Sequence, residues 1–349
     1  SEAISAAYTM MELNLGSRIM FLPGVRYEYT NTEYTSVFGR PGGSEDGEGN
    51  IIGRTDTTGG QSYGEWLPMI HLRVKPADWF DLRLATTRTL SRPNYFNLVP
   101  WERLDFFASN VERGNAELKH ATAWNYDAYL SFYNRWGLFS VGGFFKNIWD
   151  IDYIRSSRIT EGELNGFTLT QPENAIGKSK VIGVEFDVQT NLNWLPSPLD
   201  GIVLFMNYSL IDSETPYPVL KIGPRSPDPP FKPTFIDTVR AGKMPGQADY
   251  LANIAVGYEK GGFSGRVAVV FQGRSLQFVG TREELDGFTR AYARWDFTLQ
   301  QKLAAGFSLF TNVNNFTNRP DGAFLANEDF PTREEFFGWS ADLGVRFSF

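Results

Sequence analysis

Apolar and polar side chains alternate along most of the chain, in segments of roughly 10–15 residues. Near the end of the sequence, Leu343 and Val345 fall on one side of this alternation, and Asp342 and Arg346 fall on the other. Because successive side chains of a β-strand point to opposite faces, the two-residue period predicts strands with one apolar and one polar face. Residues 290–300 repeat the pattern, and helical spacing fits neither segment.

Thirteen segments of this kind follow one another. The predicted strands lie near residues 3–14, 18–32, 63–75, 79–90, 120–134, 137–152, 177–192, 201–212, 248–260, 262–276, 289–302, 306–317 and 336–349. The predicted long loops are residues 33–62, 91–119, 153–176, 213–247, 277–288 and 318–335. These loops all fall at one end of the strands and the short turns at the other, which is typical of outer-membrane barrels, whose short turns lie in the periplasm. We therefore expect residues 1–349 to form one all-β domain, a transmembrane antiparallel up-and-down β-barrel.

The composition agrees with a barrel wall. The 349 residues include 29 Phe, 15 Tyr and 9 Trp, yet the mean hydropathy is negative, at −0.29. A transmembrane barrel combines these properties because only one face of each strand meets lipid. The net charge of −7 gives no overall attraction to nucleic acid, so we expect no nucleic-acid partner. The chain has no cysteine, which excludes disulfides, thiol nucleophiles and thiolate metal ligands.

The two faces of the predicted strands point to two environments. The apolar face should contact lipid, through Trp295, Phe297, Leu299, Trp339, Leu343, Val345 and Phe347. The polar face carries charge at mid-strand, which an oily core would disfavour and a hydrated or plugged lumen would accept. The predicted lumen-lining residues are Arg83, Asp127, Glu185, Asp187, Arg294 and Asp296.

Tryptophans mark the ends of several strands. Trp79, Trp136 and Trp194 stand at or beside predicted short turns. An aromatic girdle at the membrane interface would place them there. The alternative is that they are ordinary core tryptophans of a β-sandwich.

Large aromatic and arginine side chains in the predicted loops are candidates for contact with a ligand. The candidate ligand-facing residues are Tyr95, Trp101, Arg103, Phe106, Phe107, Tyr217 and Phe231. Such groups suit sugars, aromatic siderophores and peptides alike. The alternative is that these rings pack one loop against another.

The sequence offers little for catalysis. His71 and His120 are the only histidines, and each is expected to be structural, although a hydrolase would depend on one of them. We therefore expect no catalytic residues, no metal site and no cofactor. Residues 42–50, with Glu45, Asp46 and Glu48, could hold a cation through oxygen ligands, but they lack the spacing of a calcium loop and are expected to be a solvated loop tip.

The strand count indicates how much of a barrel is present. Single-chain bacterial barrels have an even number of strands, and the first strand normally leaves the periplasm. Here the count is odd, and the first predicted strand leads into a short turn, so it runs toward the periplasm. We therefore expect the chain to begin partway round a larger barrel; a missed or merged strand is the alternative.

Several motifs resemble the C-terminal half of the barrel of TonB-dependent receptors, and they follow in that family's order. They are GVRYEYT (24–30), LRLATTRTLSRP continuing as NYFNLVP (82–100), GNAELK (114–119), NYD (125–127), FFKNI (144–148), GVEF (183–186), NVNNFT (312–317) and the terminal LGVRFSF (343–349). His120 and Ala121 depart from the family pattern, which usually has Pro and Glu after the third motif.

This resemblance implies a barrel of 22 strands, of which the chain would supply the last thirteen. It also implies an N-terminal plug, a TonB-contacting box and the first strands, none of which this sequence contains. The expected partners are outer-membrane lipid, TonB, that plug, those strands and, as a further candidate, a surface lipoprotein. The implied function is energy-driven uptake of a scarce or large nutrient, of the siderophore, glycan, peptide or vitamin class. The alternative function is a passive pore or a surface structural barrel without energy coupling.

Overall fold

The structure is a computed structural model that describes residues 1–38, 55–225, 233–280 and 282–348. Within these ranges nearly all regular structure is strand. In chain order the strands are β1 (Glu2–Met10), β2 (Leu13–Leu15), β3 (Ile19–Phe38), β4 (Thr55–Ala77), β5 (Phe80–Ser91), β6 (Glu102–Asp105), β7 (Asn110–Arg113), β8 (Ala121–Asn134), β9 (Gly137–Trp149), β10 (Asp152–Arg158), β11 (Thr168–Asn174), β12 (Lys178–Asn191), β13 (Ile202–Arg225), β14 (Pro233–Gly242), β15 (Tyr250–Lys260), β16 (Phe263–Gln272), β17 (Ser275–Phe278), β18 (Gly287–Thr289), β19 (Tyr292–Lys302), β20 (Phe307–Asn314), β21 (Asp321–Leu325), β22 (Pro331–Glu335) and β23 (Ser340–Phe347). The helical segments in these ranges are α1 (Tyr95–Leu98) and the 3-10 turns Leu199–Gly201 and Glu283–Leu285.

One large antiparallel sheet organises the molecule. Its hydrogen-bonded order is β1-β3-β4-β5-β8-β9-β12-β13-β15-β16-β19-β20-β23, with β2 added beside β3 and β14 beside β13. Each of the thirteen segments predicted from the alternation overlaps one strand of this path. The prediction of an all-β antiparallel meander is therefore confirmed for this sheet.

The register separates the two faces as the sequence predicts. In the last pair of strands, Leu309 lies opposite Val345, while Asn312 lies opposite Asp342. Directly opposed residues share a face, so the pairing divides the sheet into an apolar face and a polar face. The apolar face carries Trp295, Phe297, Leu299, Leu343, Val345 and Phe347, and the polar face carries Arg294, Asp296, Asp342 and Arg346. Trp339 lies immediately before β23.

Connections at one end of the sheet, the turn end, are short. Gly261 and Gly262 form the two-residue turn between β15 and β16, and both have positive φ angles (60° and 83°), as the common hairpin turn requires. The predicted aromatic groups gather at this end. Trp79 is 6.3 Å from Phe132, measured between ring centroids, and Trp136 is 6.3 Å from Trp194.

The opposite end, the loop end, is more regular than the sequence analysis expected. The segments 33–62 and 213–247 were predicted as loops, but β3, β4 and β13 continue into them, and β14 pairs with the end of β13. The other long loops contain eight short strands, which form the four-stranded sheets β10-β11-β7-β6 and β17-β18-β21-β22. The pair β11–β7 is parallel, so strict antiparallel order holds for the large sheet and not for the loops.

These two small sheets and β14 form what we call the loop assembly. Backbone bridges join its parts: Arg155 pairs with Val279, and Pro245 pairs with Leu276. Its core contains buried side chains from four separate segments of the chain, namely Tyr153, Ala175, Tyr217, Leu276 and Val279. The loops are therefore held together by a small hydrophobic core of their own.

The large sheet does not close on itself in the part of the chain that the structure describes. There, β1 takes β3 as its sheet partner and β23 takes β20, and no pair joins β1 to β23. A chain that begins partway round a larger barrel would have two such open edges. Both edges therefore present unpaired backbone groups.

Candidate functional site

All six residues predicted to line the lumen lie on the polar face of the large sheet. The cross-strand pairs show this for each strand in turn. For example, Arg83 lies opposite Tyr129, and Glu185 lies opposite Ser209. The residues assigned in this way are Arg83, Asp127, Glu185, Asp187, Arg294 and Asp296. They form a charged surface that extends from β5 to β19.

A buried charge cluster joins three strands on this face near the turn end. The carboxylate of Asp81 is fully buried and accepts hydrogen bonds from Arg73 at 2.7 Å and from Arg83 at 3.3 Å. The phenol of Tyr133 lies 3.3 Å from the same carboxylate oxygen. A buried carboxylate without such partners would be strongly destabilising. Arg83 therefore stabilises the wall, while its half-exposed side chain also faces the polar side.

The loop after β5 presents Tyr95 and Trp101. The side chain of Asn94 caps α1 by accepting the N–H of Phe96 at 2.9 Å. Trp101 is fixed by a hydrogen bond from its indole nitrogen to the carbonyl of Phe96 at 2.9 Å, and its ring packs at a tilt of 36° against the ring of Phe96, with centroids 4.7 Å apart. Tyr95 keeps 55% of its surface exposed, and its phenol donates a hydrogen bond to Glu2 on β1.

The hairpin between β6 and β7 presents Phe106 and Phe107 at its tip. The carboxylate of Asp105 accepts the backbone N–H groups of Phe107 and Ala108 at 2.9 Å each, which fixes the turn. Phe107 is fully exposed, whereas Phe106 meets the edge of Phe167 from the neighbouring loop at 6.1 Å. The third candidate of this hairpin, Arg103, is largely exposed and lies 3.8 Å from Glu112.

Tyr217 does not belong with these exposed groups. Its side chain is completely buried, its phenol donates to the carbonyl of Lys243 at 2.5 Å, and its ring meets Tyr153 at 4.8 Å. It packs one loop against another, so the interpretation of Tyr217 as a ligand-facing residue is wrong for this conformation. Phe231 lies outside the described residues.

A cavity of about 150 Å³ lies at the loop end, on the polar side of β3, β4 and β5. Its lining consists of Glu2, Thr32, Tyr34, Gln61, Tyr63, Arg92, Pro93, Tyr95, Leu98, Leu118 and His120. Of these, only Tyr95 is among the candidate ligand-facing residues. Six others also lie in the segments 33–62 and 91–119 that are predicted as loops, namely Tyr34, Gln61, Arg92, Pro93, Leu98 and Leu118, but nothing in their local sequence points to a ligand. The segment LSRP (90–93) is part of a family motif, but no pattern in the sequence connects Arg92 with Glu2.

Ion pairs and stacking fix the polar walls of this cavity. Arg92 donates hydrogen bonds to Glu28 and, at 2.7 Å, to the hydroxyl of Thr30. On the other side, the rings of Tyr63 and His120 stack with centroids 3.8 Å apart. The imidazole of His120 lies 3.0 Å from the carboxylate of Glu65. The cavity is thus a preformed space whose side chains have defined orientations.

The two histidines do not form a catalytic group. His120 is held by Tyr63 and Glu65, and His71 lies opposite Ala85 in the wall, on the polar face. Within the described ranges no group of acidic and histidine side chains has the arrangement of a metal site. The acidic residues 42–50 lie outside those ranges.

None of the helices in the described ranges is long and apolar enough to cross a membrane.

The fold and its two faces define a segment of an outer-membrane β-barrel wall with a structured set of loops at one end. The chain belongs to the family described as "TonB dependent receptor-like, beta-barrel", whose model matches residues 1–316. The resemblance of the sequence motifs to TonB-dependent receptors is therefore confirmed. Members of this family are outer-membrane β-barrel transporters and not enzymes, so the chain lies in the outer membrane.

Solved structures of receptors share the fold. The hemophore receptor HasR of Serratia marcescens has a TM-score of 0.62 at 12% identity, over 100% of this chain and 51% of that chain. The ferric-catecholate import receptor Fiu of E. coli K12 has 0.65 at 13%, over 100% and 45%. The ferric yersiniabactin uptake receptor FyuA of Yersinia pestis has 0.59 at 15%, over 99% and 45%. The chain thus spans about half of their length. No protein with a curated description matches its sequence.

Proposed function

We propose that the chain is the C-terminal part of the barrel of a receptor that takes up a scarce or large nutrient across the outer membrane, driven by TonB. The observation that carries the proposal is the open antiparallel sheet, with its loops at one end, in a chain of the TonB-dependent receptor family. A barrel wall alone can bind and enclose a nutrient, but it cannot couple transport to energy. Coupling would require a plug and a TonB-contacting segment from the rest of the receptor.

The two unpaired edges support a larger barrel. An edge strand in hydrocarbon leaves backbone N–H and C=O groups without partners, and each such group costs several kcal/mol. β1 and β23 therefore need neighbouring strands in the membrane. A 22-strand barrel, in which β1 is the tenth strand and β23 the last, would supply a neighbour for each edge.

In the proposed receptor, the polar face and the loops contact different partners. The charged polar face, including Asp127 and Glu185, lines the lumen and surrounds the plug. The exposed loop side chains, Tyr95, Arg103 and Phe107 among them, meet the nutrient from outside. The similar structures named above are receptors for a hemophore with heme, for ferric catecholates and for ferric yersiniabactin, so they leave the nutrient class of this chain open.

Energy dependence distinguishes this function from a passive pore. Cells that express the full-length receptor would be tested for growth on limiting heme, a ferric catecholate siderophore, or a neutral oligosaccharide, with and without TonB. We expect saturable uptake of one nutrient that is lost when TonB is deleted or the proton gradient is collapsed. Uptake that persists without TonB and rises linearly with concentration would establish the passive pore. A surface lipoprotein remains a candidate partner, to be tested by co-purification with the receptor.

A further inference from the structure

We propose that the cavity beside Tyr95 binds one ring of a neutral sugar. The inference rests on the proposed uptake function, because it names a ligand class for a site that such a receptor would present to the outside. The size of the cavity, the balance of charge around it and the kinds of side chain that line it all favour this ligand.

The size fits about half of one hexopyranose unit. The cavity measures about 150 Å³, and an apolar cavity of about 150 Å³ in another protein holds one benzene molecule, which has half as many heavy atoms as a hexopyranose. Tyr95, at its rim, is more than half exposed, so the rest of a larger ligand could extend past it. A single sugar unit of an oligosaccharide fits this description, whereas a complete siderophore is too large.

The charge balance argues against an anion. Arg92 lines the cavity with its guanidinium group, and two carboxylates lie beside this group. Glu28 accepts a hydrogen bond from it, and Glu2 lies 3.6 Å from its Nε atom. Deeper in the wall, Glu65 is paired with Arg88 at 2.7 Å. Glu28 is also paired with Arg26, at 2.6 Å, so the three carboxylates and three guanidiniums of this region balance. No excess positive charge is left for a phosphate or a catecholate, and a further anion beside Glu2 and Glu28 would be repelled by them.

One donor on Arg92 is left for a ligand. Its Nε atom is buried and has no hydrogen-bond partner among the described residues. A buried donor without a partner is unfavourable, so a ligand oxygen there would gain the full hydrogen bond. The carboxylate of Glu2 is an acceptor close to this donor. Adjacent hydroxyls of a sugar can donate to the carboxylate and accept from the guanidinium at the same time.

The remaining lining suits the carbon skeleton of a sugar. Tyr34, Tyr63 and Tyr95 present aromatic rings, and Leu98 and Leu118 add an apolar surface that is itself well packed. A pyranose ring has apolar C–H faces and a polar edge, so it matches a cavity that combines aromatic walls with a few fixed polar groups. A purely apolar ligand would leave Arg92 unsatisfied, and a highly charged one would be repelled.

The test is direct binding to the purified full-length receptor, in a detergent without a sugar headgroup, such as lauryldimethylamine oxide. The probes are glucose, galactose, mannose and the trisaccharides maltotriose and cellotriose, with inorganic phosphate and the carboxylate-bearing catechol 2,3-dihydroxybenzoate as anionic comparisons. Calorimetry would give the affinities. We expect at least one sugar to bind and neither anion to compete with it.

Two variants of Tyr95 locate the binding. Tyr95→Ala removes one aromatic wall and should weaken the sugar roughly threefold to tenfold. Tyr95→Phe keeps the ring but frees Glu2, so it should have a different and smaller effect. Phe330→Ala, at an exposed aromatic between β21 and β22 that has no proposed contact with the nutrient, is the matched control and should leave the affinity unchanged.

Several results would overturn the proposal. They are the absence of binding by every sugar, sugar binding that Tyr95→Ala leaves unchanged, and displacement of the sugar by phosphate or 2,3-dihydroxybenzoate. These outcomes are separate from the test of the proposed function. TonB-dependent uptake of another nutrient with no sugar binding would reject the sugar site alone, and sugar binding without TonB-dependent uptake would reject energy coupling alone.

Discussion

Tyr129 and Glu185 meet across a strand that lies between them: the phenol of Tyr129 on β8 donates a hydrogen bond to the carboxylate of Glu185 on β12. The intervening strand, β9, has Gly142 at the crossing point. Neighbouring strands are about 4.8 Å apart, so the two residues are separated by roughly 10 Å. The ring of Tyr129 spans this distance because it lies across Gly142, where an added Cβ would overlap the ring. The polar face therefore has a hydrogen bond that connects β8 to β12 over β9.

The first prediction concerns Gly142. A Cβ atom at this position would overlap the ring of Tyr129, so Gly142→Ala should displace the ring and break its bond to Glu185. Overpacking of this kind destabilises by about 1–3 kcal/mol. Gly143→Ala is the matched control, because the nearest atom to its added Cβ is 3.8 Å away. Urea unfolding of the purified full-length receptor measures both; equal stabilities would contradict this packing.

The second prediction concerns the lipid face. Val345 lies on the apolar face, and an arginine there would have to sit in hydrocarbon. Val345→Arg should cost about 2–4 kcal/mol if the position is near the bilayer midplane. Asn312→Arg is the control, since Asn312 faces the polar side opposite Asp342 and should tolerate the charge. Folding measured in lipid vesicles tests the pair, and a greater loss for Asn312→Arg would reverse the assignment of the faces.

The third prediction concerns the core of the loop assembly. Tyr217 is completely buried, so Tyr217→Ala should cost about 3–5 kcal/mol of local stability by leaving a cavity. Tyr217→Phe removes only the hydrogen bond to Lys243 and should cost about 1 kcal/mol. Amide exchange across β10, β14 and β17 is the measurement. Faster exchange in β14 alone would mean that the loops open independently of one another.

The fourth prediction concerns pH. Asp286 is buried in the loop assembly, and this burial raises the pKa of its carboxyl group above the usual value, although the bonds from Arg240 and the N–H of Gly280 partly offset the effect. An acid whose pKa is raised by folding contributes stability below its unfolded pKa, near 3.8, and that contribution is lost as the pH rises through the raised value.

The matched variant for this prediction is Asp286→Asn, which cannot titrate. At each pH, amide exchange of β17 and β18 would be compared between the wild type and the variant, so that the intrinsic pH dependence of exchange cancels. We expect the protection of the wild type to fall relative to the variant as the pH is raised above 3.8. A relative gain of protection would show that the pairing with Arg240 outweighs burial.

The sequence predicts the strands well where lipid imposes a pattern and poorly elsewhere. Leu343 and Asp342 must alternate because one meets hydrocarbon and the other does not. The first residues of β4, TDTTGG (55–60), lie beyond the predicted membrane segment and have no apolar face, so the alternation that identifies a strand is absent there. The extension becomes clear only from its pairing with β3.

The site was less predictable than the fold, because its groups come together only through strand order. Tyr217 and Tyr95 are both loop aromatics in the sequence, yet one packs on Tyr153 and the other is exposed. The difference depends on which loops meet, and local sequence does not carry that information. In the same way, Glu2 approaches Arg92 because the loop after β5 folds back over β3, toward β1.

The central claim is that this sheet is an arc of a larger barrel, so that β1 and β23 do not pair with each other. The chain has no cysteine, so disulfide formation can test this cleanly. In the full-length receptor, Leu309→Cys with Val345→Cys should cross-link on oxidation, because these residues are directly paired.

The measurement that tests the claim most directly is oxidation of cysteine pairs placed across the two edges. Ala3→Cys or Ala7→Cys in β1 would be combined in turn with Leu343→Cys, Val345→Cys and Phe347→Cys in β23. We expect none of these six pairs to form an intramolecular disulfide under conditions in which the Leu309–Val345 pair does so fully. Efficient cross-linking of any of the six would show that β1 and β23 close a small barrel, and the passive pore would then replace the energy-driven receptor.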